Sequence, residues 1–132
     1  MIERSELVFE NENDSLSASG QIKAIRLAKA VQLFNLGVLF IDARDKWDFA
    51  DGHIESAINI PEYDFENYTD KVSELDKGKT YVLYCGGDDC DVSQRLSKKM
   101  APFGFKELLV YVGGWDEWQQ AGMPVDIPGD KK

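Results

Sequence analysis

Short apolar runs alternate with amphipathic segments along most of this chain, and this alternation constrains the fold more than any other feature. The apolar runs are each too short for a buried helix and are typical of buried strands. They occupy residues 38–41, 57–60, 81–84 and 108–112. Strands that alternate with helices predict an α/β fold with a parallel sheet and helices on both faces.

The segments between these runs carry the helical signals. Apolar side chains at helical spacing predict a helix that ends at Gly37 and another from Val92 to near Gly104. A last short helix is expected at 115–121, and the polar stretch 62–78 predicts one or two short helices over the core. In such a sheet, ligands bind beyond the carboxyl ends of the strands. The loop after Tyr84 occupies that position.

Length and charge narrow the class of protein. The 132 residues are enough for one domain, and 24 acidic against 15 basic residues give a formal net charge of −9. That charge disfavours nucleic acid and anionic membrane surfaces, so we expect neither as a partner. No run approaches the roughly 20 apolar residues of a membrane span. The acidic start differs from a secretory signal, which predicts a cytoplasmic protein.

The first 20 residues are acidic and polar, with no apolar period. We interpret residues 1–20 as a flexible acidic N-terminal extension and residues 21–132 as the folded domain. The alternative is that residues 7–9 add an edge strand or a docking contact.

Both cysteines of the chain lie in one loop, which we call the cysteine loop (residues 85–91). It runs from the end of a predicted strand into the start of a predicted helix, where unpaired amides and the helix dipole stabilise an anion. Gly86 and Gly87 allow the loop amides to turn inward as a nest. The residues alone fit two roles for Cys85: a reactive thiolate, or a small buried apolar residue at a strand end.

Several motifs follow one another in a characteristic order. They are Phe40-Ile41-Asp42-Ala43-Arg44, Gly52-His53-Ile54, Ala57-Ile58-Asn59-Ile60-Pro61, Tyr84-Cys85, and Gly113-Gly114-Trp115 followed by Trp118, Ala121-Gly122 and Pro124. In this order the chain resembles the rhodanese-like domains, the single-domain sulfurtransferase family, over roughly residues 22 to 126.

This resemblance implies a central parallel five-stranded sheet flanked by helices and a mechanism without metal or organic cofactor. Cys85 would take a sulfur atom from a donor, hold it as a persulfide and pass it to a thiol or another nucleophile. The donor would be a small sulfur compound or a protein persulfide. The amides of the loop from Gly86 to Cys90 would stabilise the charge on the terminal sulfur. In the family pattern Asp42 and Arg44 support the loop region, and His53 is a structural turn residue.

The cysteine loop departs from the family pattern. Relatives often carry a basic residue in or just after the loop, whereas Asp88, Asp89 and Asp91 supply three acids and no base here. Carboxylates repel anionic donors such as thiosulfate, unless Asp89 or Asp91 turns back to cap the following helix. Cys90 is a possible resolving thiol for Cys85, or else a small residue packed at a helix start.

A single histidine and two cysteines with four residues between them leave too few ligands for a metal site. The resemblance to the rhodanese-like domains implies a sulfurtransferase that works through a Cys85 persulfide. The alternatives are a non-catalytic interaction or regulatory module with a protein partner, and a thiol redox sensor that uses Cys85 and Cys90.

Overall fold

A computed structural model describes residues 8–9, 22–87 and 89–128. Its main feature is a sheet in which every neighbouring pair of strands is parallel. The strands, in spatial order, are β1 (Val8–Phe9), β2 (Ile22–Ile25), β7 (Glu107–Tyr111), β6 (Thr80–Tyr84), β3 (Leu39–Asp42) and β5 (Ile58–Asn59). The predicted five-stranded parallel sheet is confirmed. Its strands are β2, β7, β6, β3 and β5, and β1 adds a sixth strand at the edge next to β2.

Helices follow most strands. They are α1 (Leu27–Asn35), α2 (Lys46–Asp51), α3 (Thr69–Glu74), α4 (Val92–Met100) and α5 (Gly114–Gln120), with 3₁₀ turns at Glu62–Tyr68 and Ala101–Phe103. A small antiparallel pair joins β4 (His53–Ile54) to β8 (Val125–Asp126). Of the helices that the structure describes, none combines the length and the apolar character that crossing a bilayer requires.

Alternate side chains of the central strands lie on opposite faces of the sheet, and each face packs in its own hydrophobic core. On one face of β6, Val82 and Tyr84 pack in a cluster with Trp118. On the other face, Tyr81 and Leu83 pack in a cluster around α4. Burial on both faces explains why these strands read as continuous apolar runs, and it confirms the prediction of helices on both sides of the sheet.

Short strands account for the differences from expectation. The sequence pattern did not indicate β2, in which Lys23 interrupts the apolar run, nor the two-residue strands β4 and β8. Val8–Phe9 pairs with β2, as the edge-strand alternative expected. The other residues of 1–20 lie outside the described part, and the boundary between an extension and a domain stays a prediction.

The sheet brings the site residues together at one edge. Asp42 ends β3 and Tyr84 ends β6, and the two residues are partners in register. Because the strands are parallel, the segments after them, which begin with Ala43 and Cys85, leave the sheet side by side. The Ala43 N–H donates to the Tyr84 carbonyl at 2.8 Å, which joins these two exits.

Candidate functional site

Cys85 lies directly after β6 at the amino end of α4 and is 2% exposed. The backbone N–H of Ser93, in the first turn of α4, donates to Cys85 Sγ at 3.4 Å. The Ser93 Oγ atom lies 3.5 Å from the same sulfur. Helix amides directed at a sulfur favour its thiolate over its thiol, so the position suits a nucleophile.

Cys85 and Cys90 form a disulfide bond, with their Cα atoms 6.4 Å apart. The Cys90 N–H donates to the Gly87 carbonyl at 3.0 Å, which turns the chain back toward Cys85. The Val92 N–H donates to Cys90 Sγ at 3.4 Å. Neither sulfur is a free thiol in this state, and the nucleophile exists only after reduction.

A glycine turn before α5 holds the start of the cysteine loop. Trp115 and Asp116 donate their N–H groups to the carbonyls of Cys85 and Gly86, both at 2.8 Å. Gly114 has φ +63°, and a Cβ atom at this position would lie 2.6 Å from the Cys85 carbonyl oxygen. Only glycine allows this close approach, which explains the Gly113-Gly114-Trp115 motif physically.

Asp42 and Arg44 form the buried ion pair beneath the loop. Arg44 Nε and Nη2 donate to the two carboxylate oxygens of Asp42 at 3.0 and 2.8 Å. Arg44 also donates to the Gly52 carbonyl and stacks over Trp115, with 5.0 Å from Cζ to the ring centroid. Burial lowers the pKa of Arg44, but the hydrogen bond and charge of Asp42 outweigh it and leave that pKa raised. Arg44 is therefore a fixed cation at the site.

Further contacts fix the end of β3 relative to its neighbours. Asn59 Nδ2 donates to the carbonyls of Asp42 and Arg44 at 3.0 and 2.9 Å. The Tyr84 hydroxyl accepts the Ile54 N–H at 3.0 Å. Burial first, and then the charge of Asp42, raises the pKa of Tyr84, so this phenol stays neutral.

A cleft of about 460 Å³ opens in front of the disulfide. Its lining comes from both ends of the cysteine loop, the segment after β3 together with α2, the 3₁₀ turn and the first turn of α4: Ala43, Arg44, Asp45, Asp48, Glu62, Tyr63, Cys85, Gly86, Cys90, Val92 and Arg95. Both cysteines line this cleft, so it is the natural place for a substrate. The lining mixes acids with two arginines.

Arg95 is the basic residue that the sequence analysis did not find. It lies one turn beyond Asp91 on α4, and its Nη1 donates to Asp91 Oδ1. Its Nη2 donates to Glu62 Oε1 at 3.4 Å, and Lys99 Nζ lies 3.0 Å from Glu62 Oε2. The cysteine loop therefore has a base beside it, contrary to expectation. The i,i+4 spacing of Asp91 and Arg95 was the available signal.

The acidic residues of the loop have different fates. Asp91 is the N-cap residue of α4, but its side chain makes no capping hydrogen bond and pairs with Arg95 instead. The expectation of capping is wrong for Asp91, because a guanidinium offers a charged partner at helical spacing. Asp89 is exposed and does not line the cleft. Asp88 lies outside the described residues.

His53 has the surroundings of a structural residue. Its Nδ1 lies 2.8 Å from the Phe49 carbonyl, its ring stacks on Phe49 at 3.7 Å, and its Nε2 lies 3.6 Å from Asp126. Trp47 is 63% exposed and lies outside the cleft lining. Within the described residues, no three His, Cys, Asp or Glu side chains converge as a metal site would require.

Comparison with protein families agrees with this arrangement. The family model described as rhodanese-like domain matches residues 26–121 of the chain. Among solved structures, the BH2092 protein of Bacillus halodurans aligns with a TM-score of 0.70 at 24% identity, over 82% of this chain and 77% of that one. The Rhodanese_3 like domain of the Anabaena Alr3790 protein aligns with a TM-score of 0.57 at 29% identity, over 67% of this chain and 98% of that one.

Curated relatives are longer proteins. The tRNA uridine(34) hydroxylase of Photorhabdus laumondii is 33% identical over 105 residues, which are 74% of this chain and 29% of that protein. An HTH-type transcriptional regulator of Mycobacterium tuberculosis is 34% identical over 89 residues, which are 67% of this chain and 38% of that protein. The chain thus spans well under half the length of these relatives.

Proposed function

The chain belongs to the rhodanese-like domain family, and we propose that it is a sulfurtransferase that carries sulfane sulfur as a persulfide on Cys85. The observation that carries this proposal is the Ser93 N–H directed at Cys85 Sγ at 3.4 Å. An amide at a helix start stabilises negative charge on this sulfur, both in the attacking thiolate and in the persulfide.

The reaction has two half-reactions, and both begin from reduced Cys85. The thiolate attacks the outer sulfur of a donor, the sulfur–sulfur bond of the donor breaks, and the leaving group departs with the electron pair. Cys85 then holds a persulfide. A nucleophilic acceptor takes the outer sulfur in the second step, and the Cys85 thiolate is restored. In this scheme the sulfur chemistry resides entirely in Cys85.

The charges around the cleft favour a neutral or cationic donor, or a protein persulfide, over thiosulfate. Asp45, Asp48 and Glu62 line the cleft. Arg95 also lines it, but its guanidinium is matched by Asp91 and Glu62. A doubly negative donor therefore enters a region in which the cations already have anionic partners.

The test is an intact-mass measurement on reduced protein. The reduced protein is freed of reductant and incubated with cysteine hydropersulfide or thiosulfate. Its intact mass is then measured before and after the addition of cyanide. We expect either a gain of one sulfur atom that cyanide removes or the release of sulfide, and we expect Cys85→Ser to abolish both. A wild-type protein that neither gains sulfur nor releases sulfide with either donor contradicts the proposal.

The second candidate is an interaction or regulatory module, with thiol redox sensing as one form of it. Two observations favour it: the existing Cys85–Cys90 bond, and the match to only part of longer relatives, one of them a transcriptional regulator. Under this candidate, Cys85→Ser leaves partner binding intact, whereas changes at Asp89 or Asp91 disturb it.

The relatives named as tRNA hydroxylases do not alter our expectation that this acidic domain itself does not bind nucleic acid. A gel-shift assay with tRNA tests that expectation.

A further inference from the structure

We propose that Cys90 is the internal acceptor of the persulfide: it attacks Cys85, releases hydrosulfide and leaves the Cys85–Cys90 disulfide as the product of each turnover. This inference rests on the sulfurtransferase function proposed above and names the thiol that completes it. It assigns a chemical role to the second cysteine, which a carrier of sulfur to external acceptors does not need.

The fold places Cys90 within bonding distance of Cys85. The two sulfurs are bonded, so the fold brings Cys90 Sγ onto Cys85 Sγ while α4 and the glycine turn keep their hydrogen bonds. The turn closed by the Cys90 N–H and the Gly87 carbonyl provides the necessary reversal of the chain. An attacking group held this close acts at a high effective concentration.

Two backbone amides at the start of α4 donate to the two sulfurs. Val92 donates its N–H to Cys90 Sγ, and Ser93, the next residue, donates its N–H to Cys85 Sγ, both at 3.4 Å. The first turn of α4 thus provides one hydrogen-bond donor for each sulfur. The same helix end that favours a Cys85 thiolate in the first step favours a Cys90 thiolate in the second.

The step balances without an external oxidant. The Cys90 thiolate attacks the inner sulfur of the persulfide, which is Cys85 Sγ. A bond forms between the two Sγ atoms, the bond from Cys85 Sγ to the outer sulfur breaks, and the outer sulfur leaves as hydrosulfide with the electron pair. The sulfane sulfur is reduced to sulfide, and the two cysteines are oxidised to the disulfide.

A dithiol reductant returns the site to its starting state. Cys90 is more exposed than Cys85, which is 2% exposed, so the first thiol of the reductant attacks Cys90 Sγ. Cys85 leaves as a thiolate that accepts the Ser93 N–H. The second thiol of the reductant then displaces Cys90, and the reductant departs as a disulfide. The net reaction converts sulfane sulfur and a dithiol into sulfide and a disulfide.

A single-turnover experiment tests the inference. Reduced wild-type protein and Cys90→Ser, both freed of reductant, each receive one equivalent of cysteine hydropersulfide. Released sulfide and intact mass are followed over time. In wild type we expect about one sulfide per chain and a final mass lower than that of the reduced protein by two hydrogen atoms. In Cys90→Ser we expect a mass higher by one sulfur atom and a persulfide that lasts at least about tenfold longer, since positioned intramolecular attack is lost.

The outcomes separate this inference from the function on which it rests. If wild type holds its persulfide as long as Cys90→Ser and releases no more sulfide, the inference is overturned while the sulfurtransferase function stands. If neither protein gains sulfur or releases sulfide, the sulfurtransferase function fails and the inference with it. Cys90→Ala checks that a serine hydroxyl does not replace the thiol, and the wild-type measurements do not depend on any variant folding.

Discussion

The backbone N–H of Ser93 donates to Cys85 Sγ at 3.4 Å, and the hydroxyl oxygen of Ser93 lies 3.5 Å from the same sulfur. The amide remains in any ordinary substitution at Ser93, whereas the hydroxyl does not. The two contributions to the stability of the Cys85 thiolate are therefore separable.

Ser93→Ala is expected to slow alkylation of reduced Cys85 at neutral pH. A hydrogen bond to a charged group contributes about 1.5–3 kcal/mol, so losing the hydroxyl reduces the rate by about tenfold or more. The measurement is the iodoacetamide rate in a Cys90→Ser background, in which Cys85 is the sole thiol. Ser97→Ala is the matched control, because the Ser97 hydroxyl donates to the Gln94 carbonyl on the same helix. Equal rates for the two variants would contradict the role of the hydroxyl.

Arg44→Ala is expected to destabilise the fold before it affects chemistry. The change leaves the fully buried Asp42 carboxylate without its ion-pair partner. Breaking a buried pair in this way costs about 3–5 kcal/mol. Urea unfolding of the reduced proteins measures the cost. Lys106→Ala, at an exposed position just before β7, is the comparison, and a loss no larger than that of Lys106→Ala would show that the Asp42–Arg44 pair is not a structural support.

Gly114→Ala is expected to displace the cysteine loop. The left-handed backbone of Gly114 costs an alanine about 1–2 kcal/mol, and the added Cβ would meet the Cys85 carbonyl oxygen. Relief of that contact moves the loop away from α5 and from the amide of Ser93. We expect the alkylation rate of Cys85 to fall in the variant. Gly122→Ala, also at positive φ but with open space around it, reports the cost of backbone strain alone.

The sequence was sufficient for the fold wherever apolar periodicity was strong. The strands β3, β6 and β7 were predicted because both of their faces are buried, which leaves a continuous apolar run. β2 was not, because Lys23 sits at its centre and pairs with Glu107 through a half-buried side chain. β4 and β8 hold two residues each and carry no period.

The site could be located from the sequence but not resolved in detail. Cys85 was found because strand, glycine and helix signals converge on it. The pairing of Cys90 with Cys85 depends on how the turn folds back. The sequence is the same whether Cys90 is a resolving thiol or a small residue packed at a helix start, so it does not distinguish the two roles. Arg95 was not singled out from the sequence, because its partner Glu62 lies 33 positions earlier in the chain. Contacts of that kind come from tertiary packing.

Asp91→Asn is expected to improve thiosulfate as a sulfur donor. The change removes one negative charge beside the cleft and releases Arg95 from its partner on α4. Two unit charges about 4 Å apart in water interact by about 1 kcal/mol, so we expect a gain in kcat/KM of about fivefold that high salt reduces. Asp70→Asn, on the exposed side of α3, is the matched control. No gain over that control would remove the electrostatic explanation of donor choice.

Glu62 is expected to make the fold sensitive to acid. Burial raises the pKa of this carboxyl, but hydrogen bonds and charges from Lys99 and Arg95 outweigh it, so the net shift is below the ordinary value of 4.5. The unfolded chain therefore takes up a proton first as the pH falls, and the stabilisation from Glu62, complete above about 4.5, is lost below it. Urea unfolding of wild type and Glu62→Gln across this range should show a difference in free energy that shrinks toward acid. Glu66→Gln, an exposed acid of the same 3₁₀ turn, serves as the reference, and a Glu62 difference that stays constant through acid would refute the assignment.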